Sequence, residues 1–357
     1  MSLPKVMKAV LLRGHGSFDQ LEYRSDVPVP APSSGEVLIR VGAAAINNTD
    51  INTRIGWYSK SVAAETGSPA SDQKASPEDS GWAGSSLHFP RIQGADACGR
   101  IVAVGDGVDP GRIGDRVLVD PVLRSKTTGT RCGYLGSERD GAFAEFLAVP
   151  SENACSITSN LTDVQLASFP CSYGAAENML ERAQVGAGEN VIITGASGGV
   201  GSAAVQLAKR RGATVLAVAG RSKAAAVKAL GALEVLDRES DLISRFGLDS
   251  IDVAIDVVGG RQFPRLLEIL KPGGRYAVAG AIAGPVVELD LRTLYLKDLR
   301  LIGCTVLEPG VFQNLIHYIE RCEIKALVSA TYPMAEIVAA QEDFLTKSHV
   351  GKIVLVP

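Results

Sequence analysis

Apolar positions along the chain fall into two regimes. Up to about residue 150 they come in short β-branched runs, at 37–41, 101–104, 116–119 and 143–149. Breakers such as Pro28-Val29-Pro30-Ala31-Pro32 and Gly105-Asp106-Gly107 separate them. Many short strands between frequent breakers predict a β-rich, barrel-like part. From about Leu161 the period lengthens. A helical pattern over 166–184 precedes an apolar run at 191–194, a glycine turn and a helix over 200–211. Strands at 215–219, 234–236, 252–257 and 275–279 then alternate with helices over 223–230 and 263–270. Such alternation predicts a parallel sheet with crossover helices, and strands that are apolar throughout suit a sheet covered on both faces. After a run at 299–304, helices are expected over 311–321 and 334–346, with a closing strand at 352–356. The fold class is α/β: a doubly wound parallel sheet joined to a β-rich domain.

Residues 60–90 follow neither pattern. They are rich in Ser, Ala, Gly and Pro, with Trp82, Leu87, His88 and Phe89 near the return point. Loops beyond ~12–15 residues are uncommon inside compact domains. The segment reads either as a solvated insertion or as a lid, and 68–80 is expected to contain little packed core.

Composition narrows the class. The chain has 357 residues, 46% apolar and 21% charged, which suits a globular protein of about two domains. A net charge of −3 argues against nucleic acid or an anionic membrane as the main partner. No apolar run approaches the roughly 18 residues of a membrane helix, and the N-terminus lacks a signal-peptide core. Met1-Ser2-Leu3 reads as a scar ahead of a natural start near Met7. Six scattered cysteines without a C-x-x-C pair read as reduced thiols of a cytoplasmic protein.

The strongest chemical signal is Gly195-Ala196-Ser197-Gly198-Gly199-Val200-Gly201, placed between a strand and a helix. Glycines let the backbone approach a pyrophosphate, and the helix start offers unpaired N–H groups and a positive dipole end. The bland alternative is a tight strand–helix turn without a ligand. After the second strand comes Gly220-Arg221-Ser222-Lys223, with no acid to take a ribose 2′-hydroxyl. Two cations and a hydroxyl there suit a 2′-phosphate, so the expected cofactor is NADP(H).

These residues resemble the medium-chain dehydrogenase/reductase superfamily, specifically its zinc-free quinone-oxidoreductase branch. The resemblance covers nearly the whole chain. It also rests on Gly94-Ala95-Asp96-Ala97-Cys98-Gly99, Gly114-Asp115-Arg116-Val117, Gly141-Ala142-Phe143-Ala144-Glu145-Phe146, Leu270-Lys271-Pro272-Gly273-Gly274 and His349-Val350-Gly351-Lys352. It implies a GroES-like catalytic domain from 1–157 and 305–357, a Rossmann domain from 158–304, and a cleft between them. In that cleft Gly280, Ala281, Ile282 and Lys352 would join 196–201 and 221–223 around the cofactor. The family's zinc-binding cysteine, histidine–glutamate pair and second cysteine align with Asn47, Ala95-Asp96 and Cys171. The structural-zinc lobe aligns with 122–140, which holds only Cys132. A catalytic zinc needs three protein ligands, so no metal is expected. Cys171 is expected to be a packing residue.

Asn47, Asp50, Arg54 and Gly56 resemble the zinc-free branch's N-x-x-D-x-x-x-R-x-G stretch. That makes Asn47 a candidate catalytic residue, polarising a carbonyl through its amide N–H, or else a loop-capping asparagine. Asp50 and Arg54 read as an ion pair or cap, and Tyr58 as a candidate proton donor. The resemblance implies hydride transfer from NADPH to a quinone or another conjugated acceptor. An enoyl-thioester reductase, a zinc-type alcohol dehydrogenase and a non-enzymatic NADPH-binding protein are the alternatives. It also implies a homodimer through the strand at 299–304.

Overall fold

The computed structural model describes residues 3–66, 75–124 and 131–357. Met1, Ser2, part of the 60–90 insertion and the side chain of Cys132 lie outside the described residues.

The ten-residue strand Glu36–Ala45 is the spine of the first part. It pairs antiparallel with Cys98–Val104 and Phe146–Pro150, and near Ala44 and Ala45 with the closing strand Lys352–Val356. The C-terminus thus returns into the N-terminal sheet, and strand Val328–Pro333 extends it in parallel. An N-terminal hairpin, Val6–Leu12 with Leu21–Pro28, packs beside it with the short strand Arg91–Ile92. Neither the hairpin nor Val328–Pro333 was expected from the apolar pattern.

The second part is a parallel sheet of six strands. In chain order they are Asn190–Ile193, Thr214–Val218, Glu234–Leu236, Ile251–Asp256, Leu270–Val278 and Arg300–Gly303. They lie side by side as 3-2-1-4-5-6, the doubly wound order. Successive residues face opposite layers: Val191 and Ile193 pack towards helices Pro170–Arg182, Gly199–Arg210 and Val311–Glu320, while Ile192 packs towards Leu242–Phe246 and Phe263–Ile269. The helix expected over 166–184 is two helices, Asp163–Leu166 and Pro170–Arg182. Pro170 lacks the N–H to continue the first and instead opens the second.

Helix Asn48–Ile55 was not foreseen. Its sequence, Asn-Thr-Asp-Ile-Asn-Thr-Arg-Ile, has no apolar stripe, yet Asp50, Asn52, Thr53 and Arg54 are buried. Strand Arg300–Gly303 forms an edge of the six-stranded sheet, and near it Leu291, Tyr295, Leu296 and Leu301 are exposed. Among the described residues, no helix is long and apolar enough to cross a membrane.

Candidate active site

A cavity of about 340 Å³ lies where the two parts meet. Its nucleotide wall is mostly backbone. Gly195 has φ of +58°, which bends the chain sharply out of the first strand. A Cβ on Gly201 would lie 2.2 Å from the Gly195 carbonyl oxygen, so only glycine lets the helix start so close to the turn. Gly198, Gly199, Val200 and Gly201 line the cavity at the start of helix Gly199–Arg210. Gly280, Ala281 and Ile282 line it from the end of the fifth strand. Ala196 and Ser197 do not: they are buried behind the turn. There Ala196 N–H donates to Val218 O, and the Ser197 carbonyl accepts from Gly351 N–H.

Arg221, Ser222 and Lys223 form a short 3-10 turn at the end of the second strand. The Arg221 side chain is 88% exposed, its guanidinium 3.5 Å from Asp237. Lys223 Nζ donates to Lys347 O at 2.7 Å, and Arg238 and Lys223 both flank Gly220. Burial and the neighbouring Arg238 lower the pKa of Lys223. Burial, helped by Lys223, brings that of Lys347 down to about 8. This corner gathers Arg221, Lys223 and Arg238, with the Lys347 ammonium nearby but donating to Asn48 Oδ1 at 3.0 Å over the Phe344 ring; Arg238 and Lys347 were missed because they come from other segments.

The opposite wall is built from side chains. Asp96 is fully buried. Its Oδ1 accepts from Cys171 N–H at 2.6 Å, and its Oδ2 accepts from Asn47 Nδ2 at 2.8 Å and pairs with Lys352 Nζ at 2.9 Å. Lys352 Nζ also donates to Asn47 Oδ1. Lys352, expected beside the cofactor, is thus committed to Asp96 and Asn47. The second Asn47 amide hydrogen goes to Ala45 O at 3.2 Å. Both amide hydrogens are therefore spent within the protein, so the expected donation from Asn47 to an acceptor carbonyl is unavailable in this arrangement.

Asp50 acts as a cap and not as a partner of Arg54. Its Oδ2 accepts from Asn47 N–H at 2.8 Å and its Oδ1 from Gly94 N–H at 3.1 Å. Burial pushes its carboxyl up to about 7. Arg54 instead donates to Gln341 and to Gly16 O, and covers the Phe18 ring. Tyr58 lines the cavity and donates to Thr49 Oγ1 at 2.9 Å; burial raises its pKa, so it holds its proton. Cys171 also lines the cavity and accepts from Tyr134 OH at 3.1 Å. Burial, reinforced by Asp96, pushes its thiol up to about 12, which keeps it a neutral packing group.

The positions of the family's zinc ligands do meet here, but as an asparagine, a carboxylate and a neutral thiol beside a lysine ammonium, with Ala95 buried in the core. A cationic nitrogen among them repels a metal ion, so the residues present do not fit a catalytic zinc. Among the described residues, no three His, Cys, Asp or Glu side chains converge to hold a metal.

The insertion borders the cleft at both ends. Trp57 Nε1 donates to Ala64 O, and Thr66 N–H crosses to Ile282 O of the nucleotide wall at 3.1 Å. Trp82 packs on Tyr134 with ring centroids 4.3 Å apart. Ser80, expected in an unpacked stretch, is fully buried and meets His15 Nε2 at 2.8 Å. Residues 67–74, at its centre, lie outside the described residues.

Comparison with known proteins agrees with this architecture. Residues 33–159 match the alcohol dehydrogenase GroES-like domain, and residues 199–321 match the zinc-binding dehydrogenase domain. The crystal structure of a Sinorhizobium meliloti protein assigned as an alcohol dehydrogenase is 48% identical, with a TM-score of 0.88, over 99% of this chain and 98% of that one. A quinone oxidoreductase of Rattus norvegicus is 29% identical over 98% of both chains. An acryloyl-coenzyme A reductase of Metallosphaera sedula is 29% identical over 98% of this chain and 99% of its own. The chain is an oxidoreductase of the medium-chain dehydrogenase/reductase superfamily and belongs to its quinone-oxidoreductase-like branch.

Proposed function

We propose that this protein is a zinc-independent, NADPH-dependent reductase of quinones and other conjugated carbonyl compounds. The observation that carries the reading is a single cavity with the glycine turn on one wall and Trp57, Tyr58, Trp82 and Tyr134 on the other. When bound along the glycine turn, the nicotinamide cofactor supplies the hydride. The chain's own residues bind, orient and shut out water. The helix start takes the pyrophosphate, and the corner of Arg221, Lys223 and Arg238 takes the 2′-phosphate. The aromatic wall suits a flat, conjugated acceptor, which is already electrophilic and needs no metal to polarise it. Tyr58, whose hydroxyl donates to Thr49 Oγ1, is the proposed source of the proton that completes the reduction, passed on through the Thr49 hydroxyl, which also lines the cavity. The described ends of the insertion border the cleft, with Thr66 N–H held by Ile282 O and Trp82 on the cavity wall, which supports a lid role for it. The working division is a catalytic domain, 1–157 with 305–357, around a Rossmann domain, 158–304, although helix Val311–Glu320 packs on the Rossmann side.

The test is cofactor oxidation with a 1,4-quinone, an enone, an enoyl thioester and an unconjugated ketone, with NADPH and NADH compared. Turnover of the quinone or enone with NADPH preferred is expected. The relative that acts on a thioester makes the enoyl thioester the second reading, and faster turnover of it would shift the assignment there. Turnover confined to the unconjugated ketone would sink both.

The exposed edge strand Arg300–Gly303, with Leu291, Tyr295, Leu296 and Leu301 beside it, supports a homodimer in which that edge pairs with its symmetry mate. Sedimentation at micromolar concentration checks this, and a monomer refutes it. The five described cysteines are free thiols, which supports placing the protein in the cytoplasm.

A further inference from the structure

We propose that Lys352 is the oxyanion donor of this site: its ammonium stands where the superfamily's metal ligands would converge and hydrogen-bonds the acceptor oxygen as negative charge develops there. This rests on the reading that the cavity reduces a conjugated acceptor. An ammonium has three hydrogens. Lys352 gives one to Asp96 Oδ2 and one to Asn47 Oδ1, and among the described residues the third meets no protein partner. The side chain is only 3% exposed, and the residue lines the cavity.

Its position is fixed from all sides. A Cβ on Gly199 would lie 3.0 Å from Lys352 Cδ, so the stem runs against the start of the nucleotide-binding helix. Asp96 is locked by Cys171 N–H and Asn47 Nδ2, and Asn47 is held by Ala45 O. The other buried acid nearby, Asp50, is occupied by the N–H groups of Asn47 and Gly94. Replacing a buried ion pair with apolar groups is often neutral or stabilising, so stability alone does not call for this one. A preorganised donor in a water-poor cavity is what a developing oxyanion requires.

The electron count closes without a metal. Hydride adds to the β-carbon, the C=C pair shifts so that the carbonyl oxygen carries the negative charge, and one proton, from Tyr58 or solvent, completes the reduction. For a 1,4-quinone, hydride adding to a ring carbon likewise puts the negative charge on a carbonyl oxygen, which takes one proton; the new C–H then loses a proton to solvent as the second oxygen gains one, giving the hydroquinone. Lys352 contributes a hydrogen bond and does not enter the proton count.

The test uses 4-nitrophenol, whose coloured anion imitates the oxyanion, together with turnover. In the wild-type protein with NADP⁺, bound 4-nitrophenol should titrate about one unit or more below free 4-nitrophenol. The double variant Lys352→Met, Asp96→Asn removes both charges together, and there the bound titration should return to the free value. Its kcat with the acceptor should fall ~100-fold or more, while NADPH Kd stays within about threefold. Lys352→Arg, which keeps the charge, should retain part of the phenolate shift. No shift in the wild type overturns the proposal, and this arm does not depend on the variant folding. A variant with raised NADPH Kd and unchanged kcat overturns it in favour of a cofactor role. If the wild type reduces no acceptor yet shifts 4-nitrophenol, the functional reading fails while the oxyanion site stands.

Discussion

The two walls of the cleft are made of different materials. The nucleotide wall is largely one contiguous turn, 195–201, whose chemistry is backbone N–H and a helix end. The acceptor wall joins Asn47, Asp96, Cys171 and Lys352, and the bond between Lys352 and Asn47 spans 305 residues of sequence. A backbone site needs only local dihedral angles and close packing, so a short glycine pattern specifies it. A side-chain site needs several distant segments to arrive together, and here it also carries a buried charge pair. The first wall suits a cofactor shared across a superfamily. The second is where chemistry changes when side chains change, as the lysine standing among the metal-ligand positions illustrates.

One corner of the nucleotide wall breaks this contrast, because it presents side chains rather than backbone. Lys223 and Arg238 flank Gly220, whereas the Arg221 side chain is almost fully exposed. Replacing both, Lys223→Ala with Arg238→Ala, should weaken NADPH binding by more than about 100-fold while NADH changes less than about threefold. This is the loss of charge-assisted bonds worth ~1.5–3 kcal/mol each. Arg221→Ala alone should cost less, since its guanidinium remains in solvent. Fluorescence titration with both cofactors reads the difference. Equal weakening of the two cofactors would mean that the corner does not hold the 2′-phosphate.

The same contrast explains what the sequence made legible. The six parallel strands and the glycine turn were readable because apolar runs and glycines are local signals, whereas the lateral order of the strands came only from the structure. Strand Glu234–Leu236 and the closing strand Lys352–Val356 fall where the pattern put them. Helix Asn48–Ile55 was illegible because its buried residues are polar, so the apolar period that marks a helix is missing. Its polar side chains are buried because they cap, donate and line the cavity. Asn47 was found through family resemblance and Tyr58 through its place just after that stretch, yet the task of Asn47 could not be read. That depended on Ala45, Asp96 and Lys352 consuming its amide. Arg238 and Lys347 gave no signal, since no motif links them to the second strand. Composition marked the insertion as irregular but could not show Ser80 packed under His15.

The smallest expected effect tests how firmly that insertion belongs to the acceptor side. His15 Nδ1 lies 2.9 Å from Thr53 O, which can only accept, so Nδ1 carries the proton and Nε2 accepts from Ser80. Burial lowers the His15 pKa below its ordinary 6.5, against the opposing backbone hydrogen bonds. A base with a depressed pKa in the folded state binds fewer protons there than when unfolded. Its contribution is therefore present above about pH 6.5 and is lost as pH falls below it. The loss should be shallow. On protonation Nε2 becomes a donor, and Ser80 can turn to accept from it while giving its own hydrogen to Pro77 O, 3.3 Å away. Between pH 7 and pH 5 the wild type should lose less than about 1 kcal/mol more than His15→Asn, which does not titrate. In thermal melts this is a Tm difference of about 2 °C or less. Parallel pH profiles for the two proteins would remove His15 as the titrating link. A much steeper loss in the wild type would mean that Ser80 cannot turn and that protonation pulls the insertion away from the barrel.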